Sequence, residues 1–166
     1  MIRLLKIIGL LGFVICLLIM YTTDHGIPGI RKFDPSFRLL DMRFHYSSNT
    51  VGETFERIGE GGRTAYRKYL ILDFIFITCF LITMLAVSDA VHVPQEIKII
   101  LFAFCLLRAL WDVIENILLL RMLGQYPLLH STLATICSWF TTMKFLMLYA
   151  WLLLIAVQAA AHTLLK

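Results

Sequence analysis

The sequence predicts an all-α membrane protein, a four-transmembrane-helix antiparallel bundle whose long first loop carries short amphipathic helices. Of the 166 residues, 60% are hydrophobic and only 16% are charged, whereas soluble domains are roughly half apolar and about a quarter charged. The apolar residues also collect into four long runs separated by polar segments, each close to the ~20 residues that a helix needs to cross hydrocarbon. None of the runs alternates with period two. A closed β-barrel, the other fold that satisfies its backbone in lipid, is therefore excluded. The length suits one membrane domain spanning 1–166.

The first span is expected at about 4–23. Arg3 and Lys6 precede the run from Ile7 to Tyr21, as in a signal peptide. The following Leu17–Thr23 stretch offers no small-x-small cleavage site, so an uncleaved anchor is expected. The loop 24–68 opens with turn formers (Asp24, Gly26, Pro28, Gly29). Asp34-Pro35 reads as an N-cap followed by proline at the first helical position, with Phe37, Leu40 and Phe44 on one face. Thr50-Val51-Gly52-Glu53 reads as a capping box for a second short helix, with Val51, Phe55 and Ile58 as its apolar face and Gly59 at its end. Both would lie on the membrane surface or fold over the bundle mouth.

The second span is expected at about 69–87. The third, about 97–123, is opened by Pro94 and closed by Gly124 and Pro127, and the fourth runs over about 133–161. Short connections make the last three helices antiparallel neighbours. Cys16, Cys79, Cys105 and Cys137 fall one to each run and read as packing residues, not as a disulfide or metal framework. The net charge of +4 is spread beside the apolar runs, which fits headgroup anchoring and not nucleic-acid binding. The expected location is the cell membrane, multi-pass. Arg3 and Lys6 favour cytoplasmic termini, opposed by Arg63, Arg67, Lys68 and Arg121 on the other side.

Chemistry is concentrated in ionisable residues that hydropathy disfavours: Asp73, Arg108, Asp112, Glu115 and Lys144. Each carries a penalty on the order of 2.5–3.5 kcal/mol at mid-membrane. Arg108, Asp112, Glu115 and Asn116 recur at helical spacing and share one face. Counting ~1.5 Å per residue from the loop side, Glu115, Asp112 and Lys144 lie at similar depth, with Asp73 above them near the entrance. Two cations then face three carboxylates, and Arg63, with Tyr66 one turn later, is the nearest source of a further cation. One reading is a set of buried ion pairs that fixes helix register. The other is a pocket in which Asp73, Asp112, Glu115 and Lys144 are catalytic candidates, and Arg63, Tyr66, Arg108 and Asn116 join them in ligand binding. No metal is expected, because His25, His45 and His130 stand alone in their segments. Ser138 and Cys137 border the stripe of the last helix, but no histidine is expected at their depth to act as a base. No cofactor is called for.

Gly59-Glu60-Gly61-Gly62-Arg63, Tyr66 and Asp73, then Asp112-Val113-Ile114-Glu115-Asn116 and a lysine in the last helix, resemble a pattern in small four-helix membrane proteins of bacteria, from about Asp41 onward. That resemblance implies an all-helical membrane fold and no particular activity. The leading expectation is a polar pocket inside the bundle that binds or processes a lipid-like or small amphiphilic ligand. The alternatives are a non-enzymatic membrane subunit or assembly factor, partnered by a membrane protein or a second copy, and a proton- or ion-coupled carrier working as an oligomer. Whether the chain is an enzyme stays open.

Overall fold

The computed structural model describes residues 2–128 and 130–164, and among them it is all-helical. Four long helices dominate: α1 (Ile2–Thr22), α3 (Ser48–Ala90), α4 (Gln95–Gln125) and α5 (Ser131–Leu164). A single short turn of helix, α2 (Ile27–Arg31), and a 3₁₀ turn at Leu40–Met42 interrupt the first loop. Three of the helices, α1, α3 and α5, are long and apolar enough to cross a membrane. The fourth, α4, is long enough but carries Arg108, Asp112 and Glu115 within one span length. All three of those side chains are buried, so its charge is turned inward.

Neighbouring long helices run in opposite directions. Lys6 at one end of α1 meets Asp89 at the far end of α3, and a Cβ on Gly12 would sit 2.5 Å from Cys79 Sγ, so α1 approaches α3 closely because Gly12 has no side chain. Asp73 of α3 meets Asn116 of α4, and farther along Ser88 meets Cys105. Asp112 of α4 meets Lys144 of α5. The packing order is thus α1–α3–α4–α5, with the close contacts along that series and not between α1 and α5. The outer surface is apolar, with Leu11, Leu18, Ile71, Ile117 and Leu153 all more than half exposed. That is the surface expected of helices immersed in hydrocarbon, where burial of every apolar group inside the protein is not required.

The first loop differs from expectation in three places. No helix follows Asp34-Pro35. The Asp34 carboxylate instead accepts from the backbone N–H of Ser36 (2.9 Å) and its hydroxyl (2.6 Å), making an Asx turn, and pairs with Arg57 at 3.2 Å. The only α-helical turn lies earlier, over the stretch read as turn formers, with Pro28 supplying a helical φ in its first turn. The next helix, α3, is capped by Ser47, whose hydroxyl accepts from Thr50 N–H at 3.3 Å, so the cap stands three residues before the expected box at Thr50.

That helix does break at Gly59, which has φ 61°, a conformation that glycine adopts without a Cβ penalty. It resumes at once, however, and continues to Ala90, so the expected second span has no separate start at Tyr69. Phe37, Leu39, Leu40 and Tyr46 from the loop pack with Val51, Phe55, Ile58 and Tyr66 of α3 and with Leu119 and Met122 of α4. The loop therefore folds over one end of the helices and does not lie on a surface. Phe44, expected on the same face as Phe37 and Leu40, is exposed and lies instead against the ring of Phe145 (centroids 5.0 Å apart).

Candidate functional site

The inward face of α4 supplies the backbone of a buried polar network. Arg108 and Asp112 stand one turn apart, and Arg108 Nη2 pairs with Asp112 Oδ2 at 2.6 Å. Across the α4–α5 seam, Lys144 Nζ lies 2.8 Å from Asp112 Oδ1 and 2.7 Å from Glu115 Oε2. The second oxygen of Glu115 accepts from the Thr141 hydroxyl. On the α3 side, Asn116 Nδ2 donates to Asp73 Oδ2 at 2.7 Å. Asp73, Asp112, Glu115, Asn116, Thr141 and Lys144 are each no more than 5% exposed. Arg108 also lays its guanidinium over the Phe80 ring at 4.4 Å, a cation–π contact that compensates part of its lost hydration.

Arg108, Asp112, Glu115 and Asn116, expected on one face of α4, are all buried, and Lys144, expected level with Asp112 and Glu115, contacts both of them. Asp73, expected nearer the loop side than Asp112 and Lys144, joins the network through Asn116, one turn beyond Asp112 on α4. Tyr69, the expected start of the second span, is an interior residue, because the helix resumes directly after the break at Gly59.

Arg63 and Tyr66 stand outside the network. Arg63 donates to the carbonyl oxygen of Phe55 at 2.9 Å and stacks on Tyr126 at 4.4 Å, satisfying backbone freed by the break at Gly59. Tyr66 is fully buried, edge-on to Phe37, and its hydroxyl accepts from Leu40 N–H at 3.4 Å. Both residues hold the folded loop.

Sequence reasoning missed Asp41. The 3₁₀ turn at Leu40–Met42 carries this carboxylate inward until it is only 3% exposed, with Oδ1 bonded to nothing. Burial pushes the Asp41 carboxyl above its usual range; Lys144 pulls it back down and Asp112 adds to the rise. Nothing in the sequence distinguishes Asp41 from a loop carboxylate in water, since it belongs to no helical stripe.

A histidine also reaches Ser138, contrary to expectation. His45 Nδ1 stands 3.5 Å from Ser138 Oγ because the segment after the 3₁₀ turn folds against α5. Ser138 is fully buried, though, and its oxygen already accepts Tyr46 N–H at 2.9 Å. The hydroxyl is thus occupied with holding the loop segment against α5, although His45 itself borders an open surface pocket with Arg31, Arg38, Arg43 and Arg57.

Beside the network lies a cavity of about 210 Å³. Its polar wall is Asp41, Asp73, Arg108, Asp112 and Lys144, and its apolar wall includes Leu17, Met20, Phe76, Phe80, Phe145 and Leu148. Those apolar residues come from α1, α3 and α5, so the space adjoins the seam between α1 and α5 that is not closely packed. Among the described residues, no three His, Cys, Asp or Glu side chains converge to hold a metal ion. Compared with family models, with curated proteins and with solved structures, the chain matches none.

Proposed function

We propose that this protein is a four-transmembrane-helix membrane protein whose intrabundle cavity binds a lipid-like amphiphile that enters between α1 and α5. The observation that carries the reading is the two-sided cavity, with charged groups on one wall and aromatic and aliphatic side chains on the other. An amphiphile has the same division. Buried ionisable groups next to such a space are costly in hydrocarbon and mark functional sites. On this reading α4 crosses the membrane with the other three helices, its charges shielded by α3 and α5, and the termini face the cytoplasm of a cell membrane.

A second reading is favoured by one observation. Arg108, Asp112, Lys144 and Glu115 already form ion pairs with one another, which suits a register-fixing core in a membrane subunit. The two readings separate by photo-crosslinking the full chain in nanodiscs with a phospholipid bearing a diazirine in its acyl chain. The pocket reading expects adducts concentrated on peptides containing Phe76, Phe80, Phe145 and Leu148, and their loss in Leu148→Trp, which fills the cavity. Adducts confined to outward residues such as Leu11 and Leu153, unchanged in Leu148→Trp, would overturn it and leave the structural reading.

A further inference from the structure

The charges around the cavity do not balance. Arg108 and Lys144 are each in direct contact with carboxylates, and the carboxylates they contact are Asp112 and Glu115. Two cations are thus matched by two anions. Asp41 and Asp73 remain, both buried, both lining the cavity, and neither within ion-pair distance of a lysine or arginine among the described residues. Asp73 has one hydrogen bond, from the neutral amide of Asn116. Asp41 Oδ1 has none. An unpaired buried acceptor is costly, and a ligand that donates hydrogen bonds and carries positive charge would satisfy Asp41 Oδ1 and supply the cation that both carboxylates lack.

We propose that the cavity recognises a primary ammonium group on a hydrocarbon chain, with Asp41 and Asp73 as its anionic partners. This rests on the amphiphile-pocket reading and specifies the head group. An ammonium supplies three donors and one positive charge, which the two carboxylates without an ion-pair partner can share. Tyr69 and Phe76 line the same space and present rings to a cation. A bare metal ion does not fit, since the required set of ligands is absent among the described residues and half the wall is apolar. The size is also informative. At about 210 Å³ the cavity is smaller than the roughly 300–1,000 Å³ that encloses a whole small molecule. It takes the head and the first part of a chain, whose remainder leaves between α1 and α5.

The same chemistry is available from a free long-chain amine or from an aminophospholipid. An aminophospholipid would also bring a phosphate towards Arg108 Nη1, which is buried and unbonded. Were Asp41 and Asp73 both protonated, they would become donors and favour an uncharged alcohol head instead.

The test is the thermal unfolding midpoint of the full chain in phosphatidylcholine nanodiscs at pH 7, with dodecylamine, dodecanol or dodecanoate at equal mole fraction. Dodecylamine is expected to raise the midpoint and to bind at least tenfold more tightly than the other two. Asp41→Asn and Asp73→Asn, which keep shape and remove charge, are each expected to weaken dodecylamine binding by about tenfold or more. The comparison on unaltered protein needs no variant, so it stands even if a variant misfolds. Replacing part of the phosphatidylcholine with phosphatidylethanolamine identifies the source: competition with dodecylamine assigns the site to an aminophospholipid, and no competition assigns it to a free amine. Equal binding of dodecanol or dodecanoate overturns the ammonium assignment and leaves the pocket. No shift with any of the three overturns both.

Discussion

Lys144→Met isolates the interaction on which the polar core depends. Lys144 is 5% exposed and touches two carboxylates, at 2.8 Å on Asp112 and 2.7 Å on Glu115. Methionine keeps most of the volume and removes the charge. Asp112 retains Arg108 at 2.6 Å, whereas Glu115 keeps only the Thr141 hydroxyl. Removing one partner of a buried pair costs about 3–5 kcal/mol in soluble proteins. In a bilayer the unfolded reference also finds partners, which lowers each polar interaction towards ~0.6–2 kcal/mol. Because the substitution breaks both ion pairs at once, a destabilisation of about 3 kcal/mol is expected, and at ~2–4 °C per kcal/mol for a chain of this length the midpoint falls by roughly 6–12 °C. A thiol-reactive dye reads this directly, because Cys16, Cys105 and Cys137 are free and buried until the helices separate. Lys144→Met with Glu115→Gln removes the orphaned charge and is expected to recover at least ~1 kcal/mol through their coupling. A fall below about 1 °C in the single variant, or no recovery in the double, refutes the network of ion pairs.

Three further outcomes follow from particular residues. The raised Asp41 carboxyl means that the folded state holds its proton after the unfolded state has released it near pH ~4. Stability from this group is therefore present at low pH and lost as pH rises through the folded value, so the midpoint of Asp41→Asn minus that of the unaltered protein should grow from pH 4 towards pH 8; a constant difference contradicts the burial. Gly59→Ala puts a Cβ into open space at φ 61° and ψ −172°, so strain alone acts, and chemical denaturation should show a loss of about 1–3 kcal/mol. Trp151→Phe removes a buried donor 2.8 Å from Ser88 Oγ and is expected to cost about 1 kcal/mol in the same assay.

The long helices and the charged face of α4 were legible because both are periodic. Lipid cannot solvate Arg108, Asp112, Glu115 and Asn116, and their spacing alone turns them to one side. Lys144 was legible by depth, because its height in α5 is close to that of Asp112 and Glu115 in α4. The first loop was not. Asp34 is equally good as a helix cap or as an Asx turn onto Ser36, and the ion pair with Arg57 that accompanies the turn is a contact that local spacing does not encode. Asp41 was invisible for the same reason: its burial comes from Phe37, Leu40 and Tyr46 folding onto α3 and α4, which is tertiary information. The resumption of α3 directly after Gly59, which makes Tyr69 interior, was likewise not encoded by hydropathy. The residues that shape the cavity's charge balance are thus partly helical and predictable, and partly carried by a loop whose path is not.

An experimental structure of the full chain in lipid nanodiscs tests the amphiphile pocket most directly. Elongated density is expected between α1 and α5, with its polar end against Asp41 and Asp73 and its chain along Phe76, Phe80 and Leu148. A closed, dry cluster, with Asp41 and Asp73 bonded only within the protein and α1 packed against α5, would contradict it.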